Sequence, residues 1–355
     1  MKALVLSGGS GTRLRPFSHS MPKQLMPIAN KPVLEHVLDG VGALGITDVG
    51  IIVGDRAAQI IAAIGDGSRF GLVITYIHQD EPRGLAHCVL LAREFLADDD
   101  FVMYLGDNIL PDGVEDIARD FTEKRPAAQV VVHKVADPRS FGVAELDRDG
   151  RVERLVEKPE HPRSDLALIG VYFFTPAIHQ AVDAISPSGR GELEITDAVQ
   201  WLVTQGVQVI ATEYSGYWKD TGRVDDVLEC NRKLLEGLVP SVRGHVDDAS
   251  VLIGPVVVEE GARVIGSRIV GPAIIGAGTS VEHSRIGPNT SIGKDCVLRD
   301  THVDSSIALD GATVTGVRGL HSSVIGRNAS IGPAEGHPSH HRLVVGDHTR
   351  IEVPV

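Results

Sequence analysis

Two cations, Arg13 and Lys23, follow the run Ser7-Gly8-Gly9-Ser10-Gly11-Thr12. Glycine lets the backbone take positive φ and lets a ligand approach closely. Successive backbone N–H groups in such a turn make a concave anion site, and the two fixed charges add neutralisation. Together these are the needs of a polyphosphate. The loop departs from two familiar patterns. Gly9-x-Gly11-x-x-Leu14 lacks the third glycine of a dinucleotide fingerprint, and no Gly-Lys-Ser/Thr follows as in a P-loop. Taken alone, a glycine loop reads equally as a tight turn with nothing bound. A second group is Gly106-Asp107-Asn108, after the apolar run 101–105. A carboxylate at a strand's end suits Mg²⁺, which takes one or two carboxylates plus substrate phosphates. By itself the tripeptide reads better as a turn, since Asp and Asn are common turn formers.

The elements that must position these groups follow from periodicity. Residues 3–6 form an apolar run that predicts a buried parallel strand ending at Leu6, directly before the loop. Val33, Leu34, Val37, Leu38, Val41 and Leu44 recur at helical spacing, with Pro32 as first helical residue. Residues 49–53, 72–77, 101–105 and 129–135 predict further strands; 86–95 and the neighbourhood of 117–121 predict helices. Such alternation implies an α/β fold, a Rossmann-like arrangement on a mainly parallel mixed sheet. Ligands in these folds sit beyond the carboxyl ends of strands, where both groups fall.

From about residue 240 helical spacing vanishes. Val258, Val264, Ile269, Ile275, Val281, Ile286, Ile292 and Leu298 recur every five or six residues, several followed by glycine, and the pattern returns at Ile325, Ile331 and Val345. A hexapeptide period signals a parallel β-helix. Residues 308–323 keep the period poorly and predict an irregular coil or outward loop. The expected domains are 1–236 and 237–355. His337, His340 and His341 are read as a polar surface loop rather than a zinc site, because no fourth ligand stands nearby.

Bulk properties exclude whole classes. The net charge of −13 over 355 residues argues against a nucleic acid polymer. No apolar run reaches the length of a membrane span. Cys88, Cys230 and Cys296 form neither a disulfide framework nor a zinc spacing. A cytoplasmic protein is expected. The flat faces of a β-helix invite packing, so a homo-oligomer is expected too.

The joint pattern Gly8-Gly9-x-Gly11-Thr12-Arg13-Leu14-x-Pro16 with Lys23-Gln24 is far more specific than the glycines. It resembles the signature of sugar-1-phosphate nucleotidylyltransferases, in particular glucose-1-phosphate thymidylyltransferases of the long form with a C-terminal left-handed β-helix. Matching segments cover residues 1 to about 236. The resemblance implies dTTP and glucose 1-phosphate as substrates and Mg²⁺ on Asp107 and Asp220, the latter in Trp218-Lys219-Asp220-Thr221-Gly222. It implies nucleotide contacts from Leu6, Gly8 through Arg13, Gln24, Gln79, Pro82, Gly84 and Asp107. It implies sugar-phosphate contacts from Asn108, Gly142, Glu157, Lys158, Gly170, Tyr172 and Arg190, with Arg13, Lys23 and Lys158 as the catalytic cations. Phe141 stands where shorter relatives commonly carry tyrosine, which leaves the sugar open. A UTP-dependent uridylyltransferase acting on glucose 1-phosphate or N-acetylglucosamine 1-phosphate is the neighbouring alternative. A non-catalytic scaffold subunit is the alternative of another class, disfavoured because all five charged residues are present.

Overall fold

The computed structural model describes residues 1–9, 11–148, 150–333 and 347–352. Ser10, the three histidines near the end and the repeat at Val345 lie outside them. The chain divides into two compact units, each drawn from two stretches of sequence: Met1–Ser10 with Val33–Asp220, and Gly11–Pro32 with Thr221–Val355.

The first unit is built on a nine-stranded mixed sheet. Lys2–Leu6 lies at its centre, parallel to Asp48–Val53 on one side and Phe101–Leu105 on the other, with Val73–His78 outermost. The inner strands are almost wholly buried, as continuous apolar runs in a two-sided parallel sheet require. Leu166–Phe174 then runs antiparallel to Phe101–Leu105 and carries the hairpin Gly142–Leu146/Val152–Glu157 beyond it. Ala128–Lys134 joins through Leu166–Phe174 as well, antiparallel, and takes Val209–Glu213 as a parallel neighbour.

The helix Val33–Ala43 buries Val33, Leu34, Val37, Leu38 and Val41, the face its spacing dictates. Pro32 is not its first residue; it ends the short strand Lys31–Pro32. The helix expected over 86–95 is two pieces, Leu85–Leu91 and Arg93–Leu96. They part at the fully buried Ala92, whose ψ of 1° leaves the helical well.

The second unit carries the left-handed parallel β-helix, three parallel sheets of six, six and five strands. Val264, Val281, Leu298 and Val314 stack in one inward row, all fully buried. Most coils advance 17 residues. The stretch 308–323 does not leave the prism. Ile307–Ala308, Thr313–Thr315 and Leu320–His321 pair in register with the coil before. The period falters because Ile292 pairs with Ala308, one residue short of a full coil, while Val303 pairs with Leu320 at full length. One residue lost before Ile307 and one gained before Leu320 disguise an unbroken prism.

Candidate active site

At the carboxyl edge of the sheet two loops are pressed together. Gly106 N–H donates to the Leu6 carbonyl at 2.9 Å, and Ser7 N–H to the Ile52 carbonyl at 2.9 Å. A Cβ on Gly106 would stand 2.6 Å from Ser7 Oγ, so only glycine permits this approach. Gly8 and Gly9 therefore emerge beside Asp107 and Asn108. Gln79 faces the same turn: a Cβ on Gly8 would lie 3.1 Å from Gln79 Oε1. The buried Gln79 is oriented by His87, whose Nδ1 is 3.0 Å from Gln79 Nε2. Burial, aided by Arg83, pushes the His87 pKa down and keeps it a neutral partner. Pro82 is exposed. Gly84 is enclosed by Leu193, whose N–H donates to the Arg83 carbonyl and whose carbonyl accepts from Ala86. The 79–84 loop is thus clasped to the segment 188–197.

A pair of strands too short to see in sequence brings Asp220 alongside the residue that follows Asp107. Asn108–Ile109 pairs antiparallel with Lys219–Asp220, placing Asp220 opposite Asn108. Asp107 Oδ1 accepts from Asn108 Nδ2 at 3.2 Å, and Asn108 Oδ1 accepts from Trp218 Nε1 at 2.7 Å. Trp218 packs edge-on against Phe141, with ring centroids 5.4 Å apart. Asp112 accepts the Tyr217 N–H at 2.9 Å and fixes the loop that delivers Trp218. Gly170 adopts φ +77°, and a Cβ there would lie 2.7 Å from Leu105 and 3.0 Å from Asn108. The space it clears is filled by these two side chains. Sequence reasoning did not single out Trp218 or Asp112 as site residues; Trp218 entered only as part of the segment carrying Asp220, and Asp112 carries no local pattern of its own.

A third cluster gathers around Glu157, the last residue of its strand, opposite Gly142. Its carboxylate accepts from Thr196 Oγ1 at 3.2 Å and lies 3.2 Å from Lys158 Nζ and 3.3 Å from Arg190 Nη1. Lys158 holds φ +42°, a left-handed conformation that costs a non-glycine residue about 1–2 kcal/mol. Its N–H donates to the Phe141 carbonyl at 3.0 Å. Arg190 is held by Glu192 at 3.0 Å and Glu194 at 3.5 Å as well as by Glu157. Burial raises the Glu194 pKa, and burial with Glu157 nearby raises that of Asp197. Tyr172 lies in the core, stacked on Phe174 with centroids 6.0 Å apart, and burial pushes its phenol well up.

In the second unit Gly11 precedes a single turn of 3-10 helix, Thr12–Leu14; two more such turns follow, Phe17–His19 and Lys23–Leu25. A Cβ on Gly11 would come 3.1 Å from Lys23 Cβ, so Lys23 lies against Gly11. Leu14, Gln24 and Leu25 are buried while Arg13 is exposed.

Residues 2–237 match the nucleotidyl transferase family model. A glucose-1-phosphate thymidylyltransferase of Streptomyces griseus is 58% identical over 353 residues, covering 99% of both chains. One of Streptomyces antibioticus is 56% identical over 354 residues, again covering 99% of both. The chain belongs to the nucleotidyl transferase family, in its glucose-1-phosphate thymidylyltransferase branch. Among solved structures, a Bacillus anthracis protein assigned as a glucose-1-phosphate thymidylyltransferase, in complex with a sucrose, superposes with a TM-score of 0.61 at 34% identity. That match covers 65% of this chain and 94% of the other. The chain is a nucleotidyltransferase, of a family that binds a nucleotide and a sugar phosphate and typically needs a divalent metal. The residues present fit such an ion. Asp107 and Asp220 offer oxygen ligands only, which suits a hard cation. Among the described residues no group of three or more His, Cys, Asp or Glu is arranged to hold a metal. Among the described residues no helix is long and apolar enough to cross a membrane.

Proposed function

We propose that this enzyme converts dTTP and α-D-glucose 1-phosphate to dTDP-glucose and pyrophosphate, feeding deoxysugar synthesis. The observation that carries the mechanism is the register pairing of Asp220 with Asn108 beside Asp107, at the sheet edge where Gly8 and Gly9 emerge. A sugar-phosphate oxygen forms the new bond to the nucleotide α-phosphorus, the bond to the β-phosphate bridging oxygen breaks, and pyrophosphate leaves. The nucleophile is already anionic, so no general base is needed. Bringing two anions together is the obstacle, and positioning and neutralisation are the remedy. Asp107 and Asp220 would hold Mg²⁺, which would supply neutralisation of phosphate charge. Arg13 stabilises the departing pyrophosphate and Lys23 the charge around the attacked phosphorus. Lys158 aligns the sugar phosphate and Glu157 takes sugar hydroxyls. Gln79 offers the pyrimidine a donor and an acceptor.

The test is a matrix of four nucleoside triphosphates against glucose 1-phosphate and N-acetylglucosamine 1-phosphate, reading pyrophosphate release. The fastest pair is expected to be dTTP with glucose 1-phosphate. Fastest release with UTP would transfer the assignment to a uridylyltransferase, and no release with any pair would revive the scaffold reading. Self-association through the prism is part of the same proposal; light scattering of the full chain should give a multiple of the monomer mass.

Trp218→Phe should keep the ring packing against Phe141 but delete the donor to Asn108. A buried acceptor left unpaired costs about 1–3 kcal/mol, so kcat should fall about tenfold with the fold retained. Wild-type kcat in that variant would remove Trp218 from the positioning of Asn108.

A further inference from the structure

The cation-bearing segment 11–32 is mounted on the β-helix, within one compact unit. Asn231, on the helix Val224–Leu235, is fully buried and ties three pieces of chain together. Its Oδ1 accepts the Ala29 N–H at 2.9 Å and the Ser291 hydroxyl at 2.8 Å, and its Nδ2 donates to the Asn289 carbonyl at 3.1 Å. Ser291 and Asn289 belong to a prism coil. The neighbouring Asn30 reaches the same coil directly: Nδ2 donates to the Ile292 carbonyl at 2.6 Å. Further along the prism, the Phe17 ring lies 3.8 Å from where a Cβ on Gly326 would stand. The segment is thus laid over successive coils, and its own regular structure is three 3-10 turns and one hairpin of two-residue strands. Elements that short do not hold a shape without outside support.

From this geometry we infer that the Asn30–Ile292 and Asn231–Ser291 hydrogen bonds position Lys23 for the nucleoside triphosphate, so that the β-helix sets the placement of a phosphate-binding cation. The inference rests on the cation roles proposed above. Asn30 and Ser291 touch neither substrate; they are positioning residues. Their bonds fix the hairpin Pro27–Ile28/Lys31–Pro32, which directly follows the turn Lys23–Leu25.

Two mild variants test it in the full-length enzyme. Asn30→Gly deletes the amide while tolerating the residue's φ of +60°. Ser291→Ala removes one hydroxyl at the prism end of the Asn231 junction. dTTP binding is measured by calorimetry and turnover by pyrophosphate release, with thermal unfolding alongside. Each variant should weaken dTTP binding about five- to twentyfold, with KM for glucose 1-phosphate within twofold of wild type. In a Lys23→Ala background Asn30→Gly should change dTTP affinity less than twofold, because the group it positions is gone. A purely structural role would instead lower the unfolding temperature and let the two losses multiply. Multiplying losses, or wild-type dTTP affinity in both variants, would overturn the inference. A wild-type chain that releases no pyrophosphate would instead defeat the functional reading on which it rests.

Discussion

Asp107→Asn should lower metal-dependent turnover by about 10²–10³-fold, the scale on which removing one preorganised electrostatic contact acts, and leave the fold intact. The substitution is isosteric, and the oxygen that accepts from Asn108 Nδ2 is retained. What is lost is half of the negative charge that Asp107 and Asp220 present together. The expected signature is a higher Mg²⁺ concentration for half-maximal rate along with the lower rate at saturation. Asp220→Asn should behave alike. If both acids serve one ion, the double variant should be little worse than the worse single, since residues acting as a unit are not additive. Full Mg²⁺-dependent turnover in Asp107→Asn would end the metal assignment. Independent, multiplying losses would separate the two acids into different roles.

How far the sequence already contained this site varies with the physics of each part. The strands Lys2–Leu6 and Phe101–Leu105 were legible because burial on both faces leaves an unbroken apolar run. Asp107 ends such a run, but by itself it reads better as a turn, and its proposed metal role comes from the resemblance. Asp220 was reached only by resemblance. Its strand is two residues long, too short for any period, and its partner strand lies about 110 residues earlier. The β-helix announced itself through inward aliphatics, yet one short and one long linkage hid the regularity of 308–323. The mounting of 11–32 on the prism left no pattern, because single amide hydrogen bonds from Asn30 and Asn231 have no periodicity. For Arg190 the resemblance implies a sugar-phosphate contact, and what the sequence did not show is that three carboxylates surround the folded guanidinium.

That difference between Arg190 and Lys158 shapes the second large effect. Lys158→Ala should cut kcat/KM for glucose 1-phosphate about 10–100-fold, the worth of one charge-assisted hydrogen bond to phosphate, with dTTP affinity within twofold of wild type. Lys158 is exposed, and its backbone is locked by the bond to Phe141 and by Pro159 after it. Its ammonium has a single carboxylate within ion-pair range among the described residues, Glu157 at 3.2 Å. Arg190 shares that carboxylate but is also engaged by Glu192 and Glu194, so its charge is largely spent within the protein. Removing Lys158 leaves Arg190 and Thr196 to hold Glu157 in place, and the loss should therefore fall on the phosphate rather than on the sugar hydroxyls. Arg190→Ala should do the reverse: it frees Glu157 and should blur discrimination between glucose 1-phosphate and its epimers more than it lowers phosphate affinity. Calorimetry with each ligand separately decides the matter. If Lys158→Ala weakened dTTP and glucose 1-phosphate equally, the lysine would be neutralising the nucleotide and the alignment of the nucleophile would have to come from Arg190.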